Sequence, residues 1–300
     1  MSRQELEAVK AKIKSLPPSH TQTLAALRQL YDKAERAFPV GSDVAVEKVV
    51  ATGCVAERLS PAGADRQACL LYLHGGGYAI GSPRSHRHLA ADLARRAGIT
   101  ALVPDYRLAP ENPFPAAVDD ALAAYRSLLD AGVAPARIAV AGDSAGGGLA
   151  ISCLLAARDA GLPMPGAAVC LSPWTDMTAA GASYRDKADV DVLVSQGDLT
   201  RYGAAYVGSA SRIDPLVSPA LADLAGLPPL LIQVGGDEVL LDDARLLAVK
   251  AKAAGITVQI AEWPGMIHVW QWYWPVLEEG RQANAAIAGF IKEQLGRTTA

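Results

Sequence analysis

The pentapeptide Gly142-Asp143-Ser144-Ala145-Gly146 joins a short apolar run, Ile138 to Ala141, to a longer one from Gly147 to Leu155. The first run has the length of a buried strand, and the second reads as a buried helix. A G-x-S-x-G sequence at such a junction forms a turn too tight for bulky flanking side chains, so glycine is needed there. The serine between the glycines is held in a strained conformation with its hydroxyl exposed at the sheet edge. This makes Ser144 a candidate nucleophile on a strand-turn-helix unit. Alone, the pattern is loose, and a chance match is the plain alternative.

The surrounding chain repeats the same rhythm. Strands are predicted at 68–73, 99–103, 137–141, 167–171, 230–234 and 257–261, with helices at 85–97, 116–131, 147–160, 242–254 and 275–295. Near-continuous apolar strands alternating with helices predict an α/β fold, a mostly parallel sheet covered by helices on both faces. Residues 44–59 alternate more and carry Thr52-Gly53 at their centre, which suggests an antiparallel hairpin at the sheet edge. Two segments stand outside the rhythm. Residues 1–38 read as two helices broken at Pro17-Pro18, with Ser19 as N-cap of the second. Residues 176–215 form an insertion rich in Ala, Asp, Ser and Tyr. There is no internal repeat and no linker-like stretch, so residues 1–300 are expected to form a single domain.

A second motif follows the first predicted strand of the alternating body. The run ends in His74-Gly75-Gly76-Gly77. Such a loop lets backbone N–H groups approach a substrate oxygen where any side chain would intrude. A dinucleotide-binding loop fails on spacing, because Gly75 and Gly77 are followed by Tyr78-Ala79-Ile80 without the third glycine of G-x-G-x-x-G.

Together with Asp105-Tyr106-Arg107-Leu108-Ala109-Pro110-Glu111-Asn112-Pro113-Phe114-Pro115-Ala116 and Ser172-Pro173-Trp174-Thr175-Asp176, these motifs resemble the bacterial hormone-sensitive-lipase family of α/β-hydrolases. The resemblance runs from about Val44 to Phe290. It implies an α/β-hydrolase fold with a small helical cap drawn from about 1–40 and 176–215. It also implies a serine carboxylesterase acting on short-chain acyl esters through an acyl-enzyme. The N–H groups of Gly76, Gly77 and Ala145 would form the oxyanion hole.

In this fold the nucleophile precedes the acid and the acid precedes the histidine. Of the five histidines only His268 follows Ser144, in the loop Trp263-Pro264-Gly265-Met266-Ile267-His268. His74 is expected to support the glycine loop by hydrogen bonding. His86 and His88 are expected to point different ways without holding a metal, and His20 to lie on the surface. The acid is less obvious in Gly235-Gly236-Asp237-Glu238-Val239-Leu240-Leu241-Asp242-Asp243. The family's D-P-L-x-D pattern places Glu238 at the catalytic position when Leu240 and Asp242 are matched, whereas choosing Asp237 needs a one-residue insertion. Glutamate serves as well as aspartate to accept from imidazole Nδ1–H. The aromatics Trp263, Trp270, Trp272, Tyr273 and Trp274 around His268 read as packing first and as pocket wall second.

Composition narrows the classes. With 300 residues, 51% of them hydrophobic, the chain can bury one large core. Lys+Arg 28 against Asp+Glu 31 gives net charge −3, with no long basic run, which argues against nucleic acid and anionic membrane surfaces. The N-terminus lacks the apolar core of a signal peptide and no stretch has the length of a membrane span, so a cytoplasmic location without stable membrane association is expected. Cys54, Cys69, Cys153 and Cys170 are dispersed and read as small buried hydrophobes. No metal or organic cofactor is implied; the expected partner is a small-molecule ester, and a homodimer stays open. Two alternatives remain: an amidase or peptidase using the same triad, and a non-catalytic receptor on the same fold.

Overall fold

Among the described residues the apolar runs resolve into eight strands of one sheet. The computed structural model describes residues 3–51 and 53–296, so Met1, Ser2 and Thr52 of the expected turn lie outside the described residues. In chain order the helices α1 (Arg3–Lys14), α2 (Leu24–Asp32) and α3 (Ala34–Ala37) come first. Next come β1 (Val44–Ala51), β2 (Cys54–Pro61), β3 (Asp65–Leu73), α4 (Pro83–Ala97), β4 (Ile99–Pro104) and α5 (Ala116–Asp130). The second half carries β5 (Ile138–Asp143), α6 (Ala145–Asp159), β6 (Ala167–Leu171), α7 (Ser183–Asp186) and α8 (Gln196–Val207). It closes with β7 (Leu230–Gly235), α9 (Leu241–Ala253), β8 (Val258–Trp263) and α10 (Glu278–Gly296).

The strand order is β1-β2-β4-β3-β5-β6-β7-β8. β1 pairs antiparallel with β2, and β2 antiparallel with β4; all the other pairs are parallel. The predicted edge hairpin is therefore present. The apolar character of the central strands follows from burial on both faces. Leu71, Leu73, Val140, Cys170 and Ile232 pack with Tyr125, Leu149, Leu154 and Leu247 of α5, α6 and α9. The alternate residues Leu70, Tyr72, Ala139, Val169 and Leu231 pack with Leu89, Leu93, Ile287 and Ile291 of α4 and α10. Each fully buried large aliphatic side chain in these layers contributes about 1.5–3 kcal/mol.

Helix starts follow capping chemistry. α4 begins two residues before its predicted start because Ser82 caps it, Pro83 occupies its first turn, and Ser82 and Ser85 form a reciprocal capping box. Ser19 does not cap the second helix as expected. It opens a short 3₁₀ turn, Ser19–Thr21, and α2 starts at Leu24, where extended Thr23 accepts from Ala26 N–H. The reason is tertiary: the Ser19 hydroxyl donates to Asp198 of α8. Arg201 of α8 also donates to the carbonyls of Ser19 and Gln22, so the N-terminal segment and the 176–215 insertion are tied together. Among the described residues no helix is long and apolar enough to cross a membrane.

Candidate active site

The turn after β5 has the geometry its sequence demands. Ser144 adopts φ 52°, ψ −121°, a conformation costly for any residue with a side chain. Its N–H donates to Leu171 O at 2.8 Å and its carbonyl accepts from Trp174 N at 2.9 Å, so β6 and the loop after it hold the strained residue. A Cβ on Gly146 would collide with the carbonyls of Leu73 and His74, and one on Gly142 with Gly146 O. Glycine at both flanks lets the elbow press directly on the end of β3.

That strand end carries the glycine loop. Gly76 and Gly77 have φ of 114° and 61°. Among the described residues, the N–H groups of Gly76, Gly77 and Ala145 donate to no protein acceptor. A Cβ on Gly77 would come within 2.6 Å of Tyr202 Cδ2, so the ring of this α8 tyrosine lies directly against the loop. His74 is fully buried and stacks on Tyr106 with centroids 4.1 Å apart. Its Nδ1 lies 2.8 Å from Gly75 O, a carbonyl that can only accept, so the proton is on Nδ1. Burial, followed by the charge of His86, pushes this imidazole down to about 3, which keeps it neutral. His86 and His88 do point apart: Nε2 of His86 faces Asp143 Oδ2 at 3.3 Å, while Nε2 of His88 donates to Trp272 O at 2.9 Å. His20 is exposed.

The carboxylates after β7 divide sharply. Glu238 is fully buried, and its Oε2 lies 2.6 Å from His268 Nδ1. Its Oε1 accepts from Ser172 Oγ at 2.9 Å and from Gly235 N–H. Asp237 turns the other way, 3.7 Å from Lys10 Nζ of α1. Burial alone would lower the imidazole of His268. The hydrogen bond and charge of Glu238, with Asp191 and Asp143 beyond, raise it above the ordinary 6.5. No hydrogen bond joins His268 to Ser144 Oγ among the described residues; Ser144 as a residue is part-exposed.

Two neighbours of this pair were not singled out from sequence. Ser172, at φ 45°, donates to Glu238 and accepts from Val269 N–H at 3.1 Å, so one hydroxyl links the carboxylate to the residue after the imidazole. In the sequence its signal is the family-like segment 172–176, which does not by itself mark this hydroxyl. Asp191 in the insertion accepts from Leu193, Val194 and Val239 N–H groups and adds negative charge near His268. Nothing periodic marks it.

The tryptophans near His268 are built into packing. Trp270 is fully buried with Nε1 donating to Glu279 O at 3.3 Å, and Trp272 donates to Ser85 O at 3.1 Å while packing edge-on against His88. All four cysteines are free and buried; burial pushes the thiols of Cys54 and Cys153 up to about 12 and that of Cys69 up to about 11. Such thiols stay protonated and unreactive. Among the described residues no group of three or more His, Cys, Asp or Glu side chains could hold a metal ion.

Residues 70–272 match the family described as the alpha/beta hydrolase fold. An acetyl-hydrolase of Streptomyces hygroscopicus is 48% identical over 297 residues, covering 99% of each chain. The crystal structure of an esterase from the bacterial hormone-sensitive-lipase family superposes with a TM-score of 0.94 at 47% identity, over 98% of this chain and 99% of that one. The esterase EstE5, in crystals soaked with p-nitrophenyl butyrate, gives a TM-score of 0.93 at 44% identity, covering 98% of this chain and 99% of the other.

Proposed function

This chain is a carboxylic ester hydrolase belonging to the α/β-hydrolase family, among the bacterial hormone-sensitive-lipase esterases, and from that premise we propose that it cleaves short-chain acyl esters through Ser144, Glu238 and His268. The observation that carries the reading is the buried 2.6 Å contact between Glu238 Oε2 and His268 Nδ1. It fixes the tautomer whose free Nε2 can take a proton.

In the proposed cycle the Ser144 hydroxyl rotates toward Nε2 as substrate binds, and His268 removes its proton while Oγ attacks the ester carbonyl. The tetrahedral oxyanion is held by N–H groups of Gly76, Gly77 and Ala145, which donate to no protein acceptor among the described residues. The imidazolium then protonates the departing alcohol, leaving an acyl-enzyme. Water, deprotonated by the same His268, releases the acid. Glu238 stabilises the imidazolium in both halves. The cap is drawn from the N-terminal helices and the 176–215 insertion, whose Tyr202 closes over Gly77.

Short acyl chains are favoured by that closure, and by the relatives, one named for acetyl hydrolysis and another soaked with a butyrate ester. That these relatives are named as enzymes favours turnover over a non-catalytic receptor on the same fold. The reading is tested by turnover of a p-nitrophenyl ester series together with organophosphonate labelling, which should modify Ser144 alone. Modification elsewhere, with activity intact, would sink it.

A further inference from the structure

A buried charge lies beneath the elbow with no part in the cycle just described. Asp143 is 3% exposed, yet it is a carboxylate in the core. Burying such a group is unfavourable unless donors surround it. Three do, from three different elements. Oδ1 accepts from Tyr72 O–H at 2.7 Å, on β3, and from Gly75 N–H at 3.1 Å, in the glycine loop. Oδ2 faces His86 Nε2 of α4 at 3.3 Å.

The position of these bonds is the telling feature. The parallel ladder between β3 and β5 runs from Cys69↔Ile138 to Leu73↔Gly142 and stops there. The two parts of the proposed oxyanion hole begin just past that point: Gly76 and Gly77 after β3, and Ala145 after β5. Among the described residues no sheet bond spans them. The Asp143 side chain does, because it sits immediately before Ser144 and grips Gly75, immediately before Gly76. The approach is so close that a Cβ on Gly75 would overlap the carboxylate.

We propose that Asp143, held by Tyr72 and His86, is a positioning residue that locks the glycine loop to the elbow and so sets the spacing of the oxyanion-hole donors. This rests on the hydrolytic reading above, but concerns a residue that touches neither substrate nor the reacting atoms. The carboxylate extends the sheet register by one side-chain bond at the point where backbone bonds give out. Tyr72 from β3 and His86 from α4 hold its two oxygens in place from different sides. Donors misplaced by a fraction of an ångström lose much of their value, because their benefit depends on being aimed in advance at the developing charge.

The test compares Asp143→Ala and Asp143→Asn on a short p-nitrophenyl ester and with a trifluoromethyl ketone, whose hemiketal oxyanion occupies the same donors. Asp143→Ala should lower kcat by roughly 10- to 100-fold, below the full loss of a donor. KM should stay within about twofold, and the ketone Ki should rise in parallel with the fall in kcat. Asp143→Asn keeps an acceptor toward Tyr72 and Gly75 and should restore kcat to within about fivefold of the parent. A folded Asp143→Ala enzyme with unchanged kcat overturns the proposal. So does a fall in kcat with unchanged ketone affinity, or an Asn variant as damaged as the Ala one. Should Asp143→Ala not fold, the Tyr72→Phe/His86→Leu pair removes two of the three donors and must show the same coupled loss of kcat and ketone affinity. Final phosphonate stoichiometry at Ser144 reports separately on the underlying reading: if the parent is not labelled there, the mechanism fails, whatever the Asp143 variants do.

Discussion

Glu238 Oε2 lies 2.6 Å from Nδ1 of His268, both groups buried, while the adjacent Asp237 carboxylate turns to Lys10 on the protein's N-terminal helix. From the turn after β7 the two side chains project in different directions, and only Glu238 reaches the imidazole. Glu238→Gln should therefore reduce kcat by about 10⁴, the scale seen when the orienting carboxylate of a serine protease is neutralised. Asp237→Asn should cost several-fold at most. Both variants are measured on one short ester, with circular dichroism to check folding; a crippled Asp237→Asn enzyme would identify the other carboxylate as the acid.

Ser144 carries its strain for chemistry. Ser144→Ala should abolish turnover while leaving the fold intact, because the hydroxyl of this part-exposed residue makes no hydrogen bond that the fold depends on. At φ 52° the alanine keeps the backbone strain, whereas glycine relieves it. Ser144→Gly should thus be more stable than Ser144→Ala by about 1 kcal/mol, the strain relief being partly offset by greater freedom of the unfolded chain. Urea midpoints of the two inactive variants give the comparison; equal midpoints would remove strain from the account of the elbow.

The pH dependence follows from the raised imidazole. His268 must be neutral to act as base, so kcat/KM should fall as pH drops through its folded-state pKa, with an acid-limb midpoint above 6.5. Folding stability runs the other way. A basic group raised in the folded state contributes stability that is complete below the unfolded value and is lost as pH rises through the folded value. The enzyme therefore works best where the His268–Glu238 pair stabilises it least. Glu238→Gln should move the acid limb of its residual activity downward, since burial then acts without the opposing carboxylate. An upward shift would contradict this assignment.

Much of the architecture could be read from the chain because it rests on local patterns. The central strands are apolar on both faces, and the sheet that results has helices on both sides, with Leu70 and Leu71 packing into opposite layers. The elbow announces itself because Gly142 and Gly146 have no room for side chains. His268 could be singled out by order alone. What stayed hidden depends on distant partners. Ser19 has good capping chemistry, but its hydroxyl is taken by Asp198, 179 residues away, and Thr23 caps instead. Ser172 and Asp191 meet Glu238 and Val239 only once the sheet has formed.

Chain-length preference should be set where the cap meets the glycine loop. Tyr202 rests against Gly77 and is 8% exposed, so its ring forms a wall directly beside the proposed oxyanion hole. Activity should decline for acyl chains beyond about eight carbons, as expected for a site without a broad apolar surface for a lipid interface. Tyr202→Ala should extend the tolerated length. A p-nitrophenyl ester series from acetate to palmitate measures both; strong activation of the parent by emulsified long-chain triglyceride would refute the preference.

Asp243 offers a test of stability apart from catalysis. It is 2% exposed at the start of α9, and its Oδ2 accepts from the N–H groups of both Thr175 and Asp176 at 2.9 Å. Burial outweighs those bonds and pushes the carboxyl from 3.8 up to about 7. An acid raised in the folded state binds more protons there than in the unfolded chain, so stability should fall as pH rises from about 4 to about 7 and remain low above that. Asp243→Asn keeps an acceptor oxygen for the two N–H groups but never has to be ionised in the core. Its stability relative to the parent should therefore improve between about pH 4 and about pH 7, the window that the shifted group spans. Urea denaturation of both proteins across that range decides the matter. A difference that does not change with pH would mean that Asp243 stays ionised throughout, held by its backbone donors more strongly than burial opposes it.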